Sequence, residues 1–173
     1  VPPYNIVLDQ IKEAGYTGTE LGPYGYLPFD IPKLKDELAS RELTLISAFT
    51  IFNFVAGKDD EIVYREALET VEVLSALGCN HIVLSDTLFT VDNRAQRAGR
   101  VRKQDSLDGA GWDVAAANVD SFAKMVLNEY GMRSAVHPHV GGYLEADFEI
   151  DAILERTNPV SYTHLRAHET HND

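Results

Sequence analysis

The sequence predicts an α/β fold of parallel strands and, within that class, a truncated (β/α)8 barrel. Three observations carry this expectation. Helical and strand patterns alternate strictly from Tyr4 to Arg156, and strands separated by helices of this length form parallel βαβ units. Each strand is short and nearly continuous in apolar character, as when both faces of a sheet are covered. No G-x-G-x-x-G run follows a strand, which counts against an open doubly wound sheet with a dinucleotide site. The four strand patterns make half a barrel, since a complete one takes about 250 residues.

In chain order, Tyr4 to Ala14 is an amphipathic helix, with Val7, Ile11 and Ala14 at steps of three and four and Gly15 as its stop. Tyr16 to Leu21 is a strand, and Gly22-Pro23-Tyr24-Gly25-Tyr26 is a turn-rich loop. Ile31 to Arg41 is a helix with Pro32 in its first turn. Leu43 to Phe49 reads as one buried strand. Glu61 to Leu77 is a helix carrying Ile62, Ala67, Leu68, Val71, Leu74 and Leu77 on its apolar face and ending at Gly78. His81 to Ser85 is a strand, Asp92 to Gly111 a long polar connection, and Trp112 to Tyr130 a helix stopped by Gly131. Met132 to Val136 is the last strand and Ala146 to Arg156 the last helix.

Composition narrows the function. The chain has 173 residues, 45% hydrophobic and 24% charged, with a net charge of −12. That acidity argues against sequence-independent binding to nucleic acid, which needs a basic surface. The lone cysteine, Cys79, rules out a disulfide framework and a thiolate cluster, and reads as a small packed residue. No apolar run approaches the roughly 20 residues that span a bilayer. No signal peptide is expected, and a cytoplasmic location is. The first residue is Val1 rather than Met, so the start of the protein is expected to lie upstream.

The last residues are expected to be foreign. The eleven residues from Val160 to Thr170 are identical to one reading frame of a transposase adapter used in DNA sequencing. On that reading residues 1–159 are an incomplete barrel domain and 160–173 a tail of other origin. His164, His168 and His171 then carry no chemistry, and His81, His137 and His139 remain.

Side chains just beyond the strands of a barrel gather on one rim. That rim collects Glu20, Asp86, His137 and His139, ligand types that suit Mn²⁺, Co²⁺, Zn²⁺ or Mg²⁺ and can also move a proton beside a carbonyl. His81 opens its strand at the opposite end. Glu20 can equally be a solvated loop acid. Asp86 can N-cap a turn, and Glu145 can be a first-turn acid favoured by the helix dipole. His137 and His139, two apart in an extended segment, point to one side. Arg94, Arg97, Arg100, Arg102 and Lys103 form a local basic patch, either solvated or a grip for an anionic substrate or partner subunit.

Several segments carry a family likeness: E-A-G-Y-T-G-T-E-L-G at 13–22, R-E-L-T-L at 41–45, L-G-C-N-H-I-V-L at 77–84, E-Y-G-M at 129–132 and A-V-H-P-H-V-G-G-Y-L-E at 135–145. Together they resemble the sugar phosphate isomerase/epimerase family of xylose isomerase-like TIM barrels, and most of all its inosose dehydratase-like branch. The resemblance covers residues 4 to 159 and implies strands two to five of the barrel. It implies a divalent metal, Mn, Co, Zn or Mg, and a small-molecule sugar or cyclic polyol ketone as substrate, with isomerase, epimerase or lyase chemistry in carbohydrate metabolism or inositol catabolism. His137 is then the metal ligand, standing where many relatives carry a glutamate. His139 and Glu20 are catalytic, and Asp86, Glu145 and Arg100 contact substrate. No nucleic acid or membrane partner is implied, and the oligomeric state stays open. The remaining ligands would come from later strands, so the fragment alone is expected to be inactive. An endonuclease IV-like DNA-repair enzyme on the same barrel and a non-catalytic sugar-binding protein are the alternatives.

Overall fold

A computed structural model describes residues 1–158 and, by backbone alone, 162–164. The elements run α1 (Tyr4–Glu13), β1 (Gly18–Glu20), α2 (Ile31–Ala39), β2 (Thr44–Ser47), β3 (Phe49–Ile51), α3 (Glu61–Ala76), β4 (His81–Ser85), α4 (Asp92–Gln96), α5 (Gly109–Tyr130), β5 (Arg133–Val136), α6 (Asp147–Leu154) and β6 (Tyr162–His164). Local chemistry sets most of the boundaries. Asp30, Asp60 and Asp108 each accept a bond from a backbone N–H three residues on, at Lys33, Val63 and Gly111, and so start α2, α3 and α5. Gly131, with φ +68, stops α5 in the left-handed conformation that glycine adopts without strain.

All described strand pairs are parallel. β1 pairs with β2, and the second sheet runs β3-β4-β5-β6. The two sheets belong to one ribbon. The segment read as a single strand, Leu43 to Phe49, is broken at Ala48, so Thr44–Ser47 serves β1 while Phe49–Ile51 serves β4. A register shift between Thr19 and Glu20 marks the same corner, where a barrel wall turns. The connection read as loop, Asp92 to Gly111, contains α4 and a 3₁₀ turn at Lys103–Asp105, and α5 begins at Gly109, before Trp112.

The core lies between the strands and the helices. Leu34 and Leu38 of α2, Val71 and Leu74 of α3, and Val119, Phe122 and Val126 of α5 are buried against Leu45, Ile82 and Leu84. Phe52 stacks on Phe122 at 4.6 Å between centroids. Each fully buried side chain of this size contributes about 1.5–3 kcal/mol. Cys79 is buried here, its thiol donating to the Leu45 carbonyl and pushed up in pKa by burial.

The expectation that both strand faces are covered is corrected. β5 meets it, with Ser134, Ala135 and Val136 buried in succession, but in β2 one face only is covered. On the other, Thr44 is exposed and Ile46 is 53% exposed. In a closed barrel that face meets strands from across the interior, and the described strands do not close. The fold is therefore part of an α/β barrel. β6 adds to the open edge of β5, pairing Ser134, Ala135 and Val136 with Tyr162, Thr163 and His164. An unpaired parallel edge accepts any short β-capable segment, so this pairing does not depend on the origin expected for residues 160–173. The rest of that tail, with His168 and His171, lies outside the described residues. Among the described residues no helix is long and apolar enough to cross a membrane.

Candidate functional site

The C-terminal ends of β1, β3, β4 and β5 form one rim. His137 follows β5 directly, and its N–H donates to the Leu84 carbonyl of β4 at 2.8 Å. Phe49 of β3 stands between the histidines: its ring centroid lies 5.8 Å from that of His137 and 5.6 Å from that of His139, and the imidazoles are 6.0 Å apart. Both histidines are half-buried, and Glu20 at the end of β1 is exposed. Burial first, and the His139 charge second, hold the His137 pKa below the usual histidine value, while Glu20 pulls it the other way. His137 thus favours the neutral imidazole that a base or a metal ligand requires. The Nδ1 atom of His139 lies 2.8 Å from the Val140 carbonyl. A carbonyl only accepts, so Nδ1 carries the proton and Nε2 keeps its lone pair for a ligand or proton.

Of the other predicted residues, Asp86 and Glu145 have both carboxylate oxygens engaged by backbone amides. Asp86, at the end of β4, is 2% exposed. Its oxygens accept from the Phe54 and Tyr143 N–H groups at 3.0 and 2.8 Å. Burial raises its pKa, and bonds from the Phe54, Tyr143 and Thr87 backbone partly offset that. Glu145 also divides its carboxylate between two amides, Gly99 at 2.6 Å and Gly141 at 2.7 Å. Arg100 is exposed.

The basic patch does not act as one surface. Arg94, its first member, is fully buried. It pairs bidentately with buried Glu149 at 2.7 and 3.0 Å, donates to the Asp105 and Gly142 carbonyls, and lies over the Tyr143 ring. Arg97 is paired with Asp105. Glu149 also accepts from the Glu145 and Ala146 N–H groups ahead of α6. Neither Arg94 nor Glu149 stood out in the sequence as a matched pair. They are 55 residues apart, and no local pattern signals a partner at that distance.

Together these groups fasten the turn from His139 to Glu145. Phe89 N–H donates to the Gly141 carbonyl, Asp86 holds Tyr143, Arg94 holds Gly142, and Glu145 ties Gly99 to Gly141. Gly141 and Gly142 suit this crowding: a Cβ on Gly141 would stand 2.7 Å from the Phe89 ring, and one on Gly142 3.2 Å from Asp86. A cavity of about 160 Å³ lies behind Phe49, lined by Leu21, Tyr24, Thr50 and Glu66. It is smaller than the roughly 300–1,000 Å³ of small-molecule pockets.

Among the described residues no group of three or more histidine, cysteine or acidic side chains is placed to hold a metal ion. A catalytic metal takes about three protein ligands, so the described rim residues do not by themselves make up such a set.

No family model matches the chain. In sequence it is 30% identical over 155 residues to an inosose dehydratase of Histophilus somni (strain 129Pt), covering 90% of this chain and 50% of that protein. The chain thus spans about half the length of the curated relatives it matches. Among solved structures, a xylose isomerase-like TIM barrel protein from Mycobacterium smegmatis in complex with magnesium superposes with a TM-score of 0.63 at 14% identity, over 90% of this chain and 53% of that one. An IolI protein with a zinc atom superposes with a TM-score of 0.60 at 12% identity, over 88% and 52%. The chain therefore resembles the inosose dehydratases in sequence, and its fold is part of a TIM barrel.

Proposed function

We propose that this chain is part of an enzyme that removes a proton next to the carbonyl of a sugar or cyclic polyol ketone, in the manner of an inosose dehydratase. The observation that carries the reading is the convergence of Glu20, His137 and His139 on one rim, with Phe49 between the imidazoles. A divalent ion, Mn, Co, Zn or Mg, is part of the proposal, with His137 as one ligand; the magnesium and zinc in the two structural neighbours support it. Because the described residues make no full ligand set, every step below is assigned to the chain's own side chains.

The Glu20 carboxylate or the free Nε2 of His139 takes the α-proton, and the electron pair moves into an enediolate on the substrate. A proton returned to the other face gives epimerisation, and one returned to the neighbouring carbon gives isomerisation. When the protonated member of the pair hands its proton to a β-hydroxyl, the C–O bond breaks, water leaves and the product is dehydrated. The inosose dehydratase similarity favours the last course. Positioned acid–base groups of this kind contribute about 10²–10⁴-fold. Asp86, Glu145 and Arg94 act by fixing the turn that carries His139, and the substrate contacts first expected of Asp86 and Glu145 are reassigned in this proposal to that positioning.

The test is turnover of inosose by the protein carrying this chain at full length. Activity should vanish on chelation and return with a divalent ion, and His139→Ala should lower kcat by roughly 10²–10⁴. Activity untouched by chelation would remove the metal from the proposal, and an unimpaired His139→Ala would remove His139.

A further inference from the structure

We propose that Phe89 is a ligand-contacting residue, its ring presented on the rim beside the His139 turn as a stacking face for the C–H side of a ring-shaped polyol. The inference rests on the reading of the rim given above and adds a recognition residue to it.

Phe89 lies four residues past the end of β4 with φ +59. Among the described residues only one other non-glycine, Glu42, has positive φ. A bulky side chain in that region is strained. Burial does not account for the strain, because Phe89 is 55% exposed. The conformation is imposed from outside: Phe89 N–H donates to the Gly141 carbonyl at 2.9 Å, and three atoms of its ring would lie 2.7–2.9 Å from a Cβ on Gly141. The turn bearing Gly141 is in turn fixed by Asp86 and Arg94, both buried, and its Gly142 N–H donates to the His139 carbonyl. Strain that persists because its surroundings over-determine it, on an exposed aromatic beside candidate catalytic groups, marks a position held for contact with a ligand.

The chemistry matches one ligand class. A cyclic polyol or its ketone carries hydroxyls around its edge and a largely apolar C–H face. A flat aromatic wall covers that face, while Glu20 and His139 address the carbonyl and hydroxyls, the usual division between apolar lining and a few placed polar groups.

Saturation-transfer NMR with inosose as the probe tests this on the full-length protein carrying this chain, as wild type, Phe89→Leu and Phe89→Asn. Leucine keeps apolar bulk without a ring face. Asparagine tolerates the left-handed backbone and should leave the thermal midpoint at or above that of the wild type. Expected are transfer from aromatic protons to the polyol C–H groups in the wild type and a loss of affinity of about tenfold in both variants. The Gly141 and Tyr143 amides, held by Glu145 and Asp86, should keep their hydrogen-exchange protection in Phe89→Asn, which separates loss of a ring contact from loss of the turn. Wild-type binding undiminished in both variants would overturn the inference and leave the rim reading standing. A full-length wild-type protein that does not bind inosose would overturn both.

Discussion

Replacing Arg94 by methionine removes a fully buried guanidinium and leaves the equally buried Glu149 carboxylate with only the Glu145 and Ala146 amides. The Gly142 and Asp105 carbonyls lose their donor as well. Breaking a buried ion pair on one side costs about 3–5 kcal/mol, because an uncompensated charge remains. That is a large share of the roughly 5–15 kcal/mol by which domains are stable. At about 2–4 °C per kcal/mol for a chain of this size, Arg94→Met should lower the thermal midpoint by roughly 6–20 °C. Glu149→Gln added to that variant removes the stranded charge and should recover about 1–3 kcal/mol. The decisive quantity is the coupling energy of the double-mutant cycle from urea denaturation, expected to be at least about 2 kcal/mol. An Arg94→Met variant costing less than about 1 kcal/mol, or single effects that simply add, would refute the reasoning that this pair holds the two loops together.

Two further outcomes follow from the same turn. Gly141→Ala should destabilise by roughly 1–3 kcal/mol in chemical denaturation, since its φ is +92 and the new Cβ meets the Phe89 ring; a neutral substitution would show that ring and turn are not in contact. The second concerns pH. The folded-state pKa of His137 lies below its ordinary value of 6.5, mainly because burial disfavours the charge. The unfolded chain then binds the proton more readily, so stability is full above the ordinary histidine value and is lost as pH falls through the lower folded value. The denaturation midpoint should drop between pH 7 and pH 5, and His137→Gln should flatten the drop; an unaltered slope would assign it to other groups.

The fold was legible wherever the determinants are local. His81–Ser85 is observed with the bounds its apolar run predicts, and α3 ends within a residue of the stop set by Gly78. Helix periods and glycine stops act over a few residues and are written in the chain. The break at Ala48 was not legible, because it is made by two different partners, β1 and β4, pulling on either side of one apolar run. The ordered loop after β4 was hidden for a related reason: a string of arginines looks solvated until Glu149, far along the chain, is brought beneath Arg94.

The candidate site shows how the same polar residues divide between framework and chemistry. Acid and base alike, Asp86, Arg94, Glu145 and Glu149 spend their hydrogen-bonding groups on backbone amides and carbonyls or on each other. Residue type could not separate them from Glu20, His137 and His139, since acids and bases occur in both groups and all belong to strand ends or to the segments that follow them. Burial separates them. A buried charge must be matched where it sits, so Asp86, Arg94 and Glu149 are committed to the structure, and half-buried Glu145 has both oxygens engaged as well. His137, His139 and Glu20 stay partly or fully exposed, and His139 keeps Nε2 free because its other nitrogen is held by its own loop. The groups whose polar atoms remain available are those that the fold did not need to hold itself together, and one of them, His139, stands on the turn that the committed groups fasten.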